Sequence, residues 1–147
     1  MCIDVRKQCQ CGRAKVQFFL KDNVMLPEVL SRLFCPKCPG DEPFDEEAML
    51  ADNGWVIEYD IPLAKMLAAT KMIDDPENIN PGYLFDKGLA CWQELYPGEQ
   101  EDIKEERAGM VALSKEDQKK YLETIQRWNI HRVQKLKQAG WRKVQTI

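Results

Sequence analysis

The sequence predicts an α+β fold: a small antiparallel sheet within residues 1–61, then a mainly helical portion over 62–147. Three observations carry this. Apolar residues alternate with period two over Ala14–Lys21 and Trp55–Ile61. They recur with helical period over 62–73, 83–96 and 114–139. Two close cysteine pairs, Cys9/Cys11 and Cys35/Cys38, bracket the first of the strands.

In chain order, Val16, Phe18 and Leu20 mark the inner face of a strand, and Asp22-Asn23 offer a turn after it. Val24–Phe34 contains Pro27 and reads as a short helical turn followed by a strand, two forms that periodicity alone does not separate. Asp45–Ala51 is compatible with one or two helical turns. Trp55, Ile57 and Tyr59 share one strand face, which can complete a sheet with the earlier strands. Pro62 suits the first turn of a helix whose apolar face is Leu63, Met66, Leu67, Thr70 and Ile73, and Asp74-Asp75-Pro76 ends it.

A second helix is expected over Tyr83–Tyr96, with Leu84, Phe85, Leu89, Cys91, Trp92, Leu95 and Tyr96 on one arc and Pro97-Gly98 as its stop. The highly charged Glu99–Arg107 reads as a solvated helix or a loop. Ser114 with Asp117 is the expected start of a helix of about 25 residues, roughly 37 Å long, reaching Ala139 and capped by Gly140. Its apolar stripe is Tyr121, Leu122, Ile125, Trp128, Val133 and Leu136. Trp141–Ile147 is read as a short final strand.

Apolar residues make up 44% of the 147, which excludes a disordered chain. No apolar run approaches the roughly 20 residues that span a bilayer, and the first residues lack the apolar stretch of an export signal, so a cytoplasmic protein is expected. The net charge of −3 conceals a pattern. Residues 1–40 carry +4, 41–60 carry −8, 61–113 carry −5 and 114–147 carry +6. Two basic ends flanking an acidic middle imply internal docking or, alternatively, a surface for an acidic partner or nucleic acid.

The cysteines carry the sharpest chemical signal. Cys9-x-Cys11 and Cys35-x-x-Cys38 are separated by 23 residues, enough for a hairpin that brings two tight turns together. Without an export signal, paired thiols point to metal rather than to disulfides. Cys35-Pro36-Lys37-Cys38 resembles the knuckle of zinc ribbons and rubredoxin-like modules over about residues 9–40. The tight C-x-C of the first pair and Pro39 after the second depart from that pattern. The resemblance implies a four-cysteine zinc ribbon with one tetrahedral ion on Cys9, Cys11, Cys35 and Cys38. Zinc is the expected ion and iron, as an electron carrier, is the alternative. Four thiolates fill the shell and leave no position for a reactive water, so the ion is structural.

Other residues have plainer readings. Cys2 reads as a near-terminal thiol, Cys91 as a core residue and His131, the sole histidine, as a surface residue. Trp55, Trp92, Trp128 and Trp141 are expected mostly in the core. The acids at 41–47 and 99–106 lack the glycine-punctuated spacing of a calcium loop. No phosphate-binding glycine loop or serine-nucleophile elbow is present, so no enzyme is expected. The expected function is a binding or adaptor protein with a protein partner docked on its helices, the alternatives being a nucleic-acid-binding regulator and an iron-tetrathiolate electron-transfer protein. Lys119, Lys120, Arg127, Lys135 and Lys137 lie off the apolar stripe of the last long helix and are its expected partner-facing residues.

Overall fold

The structure is a computed structural model and describes residues 2–38, 43–71 and 76–145. It is α+β, with small antiparallel sheets in the first half and mainly helices after them. The strands are β1 (Cys2–Gln8), β2 (Lys15–Lys21), β3 (Leu30–Phe34), β4 (Met49–Asp52), β5 (Trp55–Tyr59) and β6 (Ala90–Trp92). The α-helices are α1 (Ile61–Thr70), α2 (Pro81–Asp86), α3 (Glu99–Ser114), α4 (Gln118–Ala139) and α5 (Arg142–Gln145).

Where one small sheet was expected, the strands form two, ordered β1-β2-β6 and β3-β5-β4, both antiparallel. Val16, Phe18 and Leu20 face inward from β2, as the alternation predicts. Pro27–Val29 is a single 3-10 turn leading directly into β3, so both forms expected for this segment occur in sequence. Asp45–Ala51 holds only a turn, closed by the Ala48 and Met49 amides on the Asp45 carbonyl, before β4 begins. Asn53 and Gly54 take positive φ of 50° and 90° and join β4 to β5, the geometry an Asn-Gly hairpin favours.

The segment 83–96 is not one helix. Asn80 caps α2 by accepting from the Tyr83 amide at 2.8 Å, but α2 ends after Asp86. Gly88 is left-handed (φ 71°), and the Leu89 and Gly88 amides close on the carbonyls of Leu84 and Phe85, a Schellman stop. The chain then enters β6, where Ala90, Cys91 and Trp92 are all buried and pair with Leu20, Phe19 and Phe18 of β2. A strand buried on both faces carries no alternation, so its apolar run mimics one helical arc.

Three further boundaries differ. The charged stretch from Glu99 is helical through Ser114. Ser114 is therefore the last residue of α3 rather than a cap, while Asp117 alone caps α4 by accepting from the Lys120 amide at 3.2 Å. Residues 142–145 form a helical turn instead of a strand, and Gly140 ends α4 as expected. In α1 the fully buried face is Ala64 and Ala68, with Met66 and Thr70 exposed; Ile73, Asp74 and Asp75 lie outside the described residues.

Trp92 sits at the centre of the core, with its ring centroid 5.2 Å from that of Phe18 and 5.9 Å from those of Trp55 and Phe85. Around it pack Leu20, Leu33, Ile57, Tyr59 and Leu84, residues from both sides of position 61. Buried Asp52 joins three elements. It accepts the Trp92 Nε1–H at 2.8 Å and the Arg142 amide at 3.0 Å, tying β4 to β6 and to α5. Trp55, Trp128 and Trp141 are only partly buried, so of the four tryptophans Trp92 alone is fully enclosed. Cys91 is buried as expected, though in a strand.

Candidate metal centre

The site lies where the two sheets meet. Cys9 and Cys11 occupy the turn between β1 and β2, and Cys35 and Cys38 follow β3. The first turn is tight because the Gly12 amide returns to the Cys9 carbonyl at 2.9 Å, which requires the left-handed φ of 76° that glycine supplies. The Cys9 amide closes the hairpin on the Ala14 carbonyl at 3.0 Å. In the second turn the Cys38 amide returns to the Cys35 carbonyl at 3.0 Å. The Gln10 amide donates to the Leu33 carbonyl at 2.9 Å and holds the two turns together. Gly54 packs under the second turn, where a Cβ in its place would stand 3.1 Å from Pro36.

All four sulfurs lie within 4.8 Å of one another, so the four cysteines expected from the spacing are brought together. Neighbouring Sγ atoms are 3.0 Å apart for Cys9–Cys11 and 3.4 Å for Cys11–Cys35 and Cys35–Cys38. A zinc tetrahedron with Zn–S bonds of about 2.3 Å has sulfur–sulfur edges of about 3.8 Å, so small adjustments admit an ion. The all-thiol donor set suits zinc or iron and does not choose between them. It is the sole cluster of three or more His, Cys, Asp or Glu ligands among the described residues.

The local electrostatics favour negative sulfur at Cys9 and Cys38 and oppose it at Cys11. Burial pushes the Cys9 thiol up, but hydrogen bonds from Cys11, the Ala14 amide, Cys35 and the Arg13 amide reverse this and hold it at about 6. The hydrogen bond to Cys9 keeps the proton on Cys11, whose thiol is pushed up to about 12. Burial acts against the Cys38 thiolate as well, but hydrogen bonds from Cys11, Cys35 and their backbones outweigh it and lower that thiol. Amide donors aimed at sulfur, Ala14 to Cys9 at 3.3 Å and Cys35 to Cys38 at 3.2 Å, stabilise thiolate in the same way that they stabilise a metal-bound sulfur. Burial alternates within each pair: Cys9 and Cys35 are buried, Cys11 and Cys38 half-buried.

Other sequence expectations fall elsewhere. His131 is exposed on α4, far in sequence from any thiol. Cys2 begins β1 and its side chain lies outside the described residues, as does Pro39. Lys119, Lys120, Arg127, Lys135 and Lys137 are exposed, as their place off the apolar stripe requires. Within that stripe Leu122 is 54% exposed and only Leu136 is fully buried. The basic helix packs on α3. Basic residues of the chain's end do reach acids of the middle: Arg142 forms a two-pronged pair with Asp86, and Arg132 pairs with buried Glu99. Asp52 and Glu99, the two buried acids among the described residues, have no sequence signature, because a single acid beside a turn or at a helix start is ordinarily solvated.

No helix among the described residues is long and apolar enough to cross a membrane. Compared with known proteins, the chain matches no family model, and no curated protein or solved structure is significantly similar to it.

Proposed function

We propose that this is a zinc-ribbon-containing binding protein, in which a structural zinc on Cys9, Cys11, Cys35 and Cys38 fixes the N-terminal turns and the basic face of α4 docks an acidic protein surface. The observation that carries the metal reading is the convergence of four thiols within 4.8 Å, a donor set that fills a tetrahedron. The docking role of α4 is supported by its unusual exposure. The 22 residues of α4 fully bury only Leu136, and Val111, Leu122 and Ile130 stand exposed beside the basic residues. A long amphipathic helix whose apolar stripe is left largely uncovered offers a surface to a partner, and a basic face draws an acidic one.

Elemental analysis tests the metal: one zinc per chain is expected, lost on Cys9→Ser or Cys38→Ser. Iron would show as colour and visible absorption, and protein purified with no tightly held metal refutes the reading. Reversing Lys119, Lys120 and Arg127 to Glu tests the docking face. Reduced capture of an acidic partner at unchanged stability supports docking. Loss of stability with capture untouched makes the helix an internal strut.

A further inference from the structure

We infer that the outward face of the β1–β2 hairpin, with the cavity it shares with the first turn of α3, binds single-stranded nucleic acid. This goes beyond the docking role proposed for α4 and uses a different surface.

The hairpin register sets the face. Asp4 is paired with Phe19, Arg6 with Gln17 and Gln8 with Lys15. Because alternation turns Val16, Phe18 and Leu20 into the core, these partners point outward together, with Lys21 at the end of the row. Arg6, Gln8, Lys15, Gln17 and Lys21 are exposed, Phe19 is half-buried among them, and Arg13 is exposed in the turn. Among the described residues, Arg6, Arg13, Lys15 and Lys21 have no ion-pair partner. Asp4 is the one acid on the two strands' outward face. Lys15 to Lys21 spans about 20 Å along the strand, room for several nucleotides of an extended backbone.

The face runs into a cavity of about 340 Å³, walled on the strand side by Arg6, Lys15 and Gln17 and opposite by Gln93, Tyr96 and Gln100. That volume falls in the range of small-ligand clefts. Gln93 Oε1 is buried with no hydrogen-bond partner among the described residues, an acceptor that a ligand donor would satisfy. Glu94, Glu99 and Glu101 stand on the wall away from the strands, Glu99 being paired with Arg132. Cations on one side with acids and amides on the other suit a ligand whose charge and hydrogen-bonding groups are separated. A nucleotide is such a ligand: its phosphates track the strand cations, and its neutral base turns toward Gln93 and Tyr96. An acidic peptide, with carboxylates projecting on all sides, meets Glu94 and Glu101. Cationic grooves beside aromatic rings are how single strands are held.

Fluorescence anisotropy on the full chain, with metal content assayed beforehand, tests this using labelled 12-nucleotide RNA and DNA of mixed sequence. Saturable binding is expected at about 50 mM salt, weakening with a log–log slope of roughly −2 to −3 for four phosphate contacts. R6Q/K15Q should weaken binding at least about tenfold and reduce the slope by about 1.4. Gln93→Ala should weaken it several-fold with the slope unchanged. K71Q/K87Q, the same charge change elsewhere, should bind as the parent does. Thermal melting of each variant checks its fold, and Arg6→Gln alone serves if the double variant is unstable. The inference is overturned if R6Q/K15Q binds as tightly as the parent. It is equally overturned if a 12-residue poly-glutamate peptide or a duplex of the same sequence competes as well as the single strand. Because metal content is known for each sample, absence of an ion refutes the zinc reading separately from the nucleic-acid result.

Discussion

If Cys9, Cys11, Cys35 and Cys38 hold an ion as proposed, removing it should weaken the fold without abolishing it, and the size of the loss follows from the chain length that they close. The four ligands close a segment running from residue 9 to 38, thirty positions. Treated as a cross-link, closing thirty residues removes about 12 cal/mol/K from the unfolded chain, or about 3.6 kcal/mol at 25 °C. Total stability of a domain this size is about 5–15 kcal/mol, so the metal-free protein should remain folded but closer to its limit. The melting temperature should fall by roughly 10 °C. The loss should be uneven. The Gln10–Leu33 and Cys9–Ala14 backbone bonds hold the turns only locally, whereas α3 and α4 lie outside the clamped segment. Circular dichroism melts with and without a strong chelator measure the shift, and amide exchange locates it. Residues 9–38 should lose protection while helical signal persists. An unchanged melting temperature and unchanged exchange after verified metal removal would refute the reasoning.

Three further outcomes are expected. Asp52→Ala leaves the Trp92 Nε1–H and the Arg142 amide without their charged acceptor, and each such bond is worth about 1.5–3 kcal/mol, so a loss of about 3–5 kcal/mol in urea unfolding is expected; under about 1 kcal/mol the bridge is not structural. The Arg32 guanidinium bonded to Glu58, helped by Ser31 and opposed by burial, holds the Glu58 carboxyl below its usual value. Its stabilisation is therefore present above the unfolded pKa, about 4.3, and lost as pH falls through the lower folded value. Glu58→Gln should flatten the drop in urea midpoint between pH 6 and pH 3, and an equal drop in both proteins contradicts the pairing. Gly140→Ala forces a Cβ into a left-handed position (φ 91°) and should cost roughly 1–2 kcal/mol in the same assay, with no cost pointing to a different stop for α4.

The sequence by itself determined the features set by local chemistry. The cysteine spacing named the four thiols because two short turns can each present two sulfurs whatever surrounds them. The alternation of Val16, Phe18 and Leu20 set the inner face of β2. Gly140 marked the end of α4 for a local reason, because a C-cap is a bond between residues three or four apart, whereas its start lies at Asp117 and not at the expected Ser114. Tertiary structure alone decided the rest. Leu89 to Trp92 fits a helical arc and a buried strand equally well, and pairing with Phe18–Leu20, some seventy residues earlier, selects the strand. The same long-range pairing places Trp92 over Asp52 and splits the strands into two sheets. The burial of Asp52 depends on donors from β6 and α5, and Glu99 adds Arg132 of α4 to the nearby Leu95 amide, distant partners that no short window along the chain contains. Period and spacing report which face a residue takes, but what covers that face is a property of the folded whole.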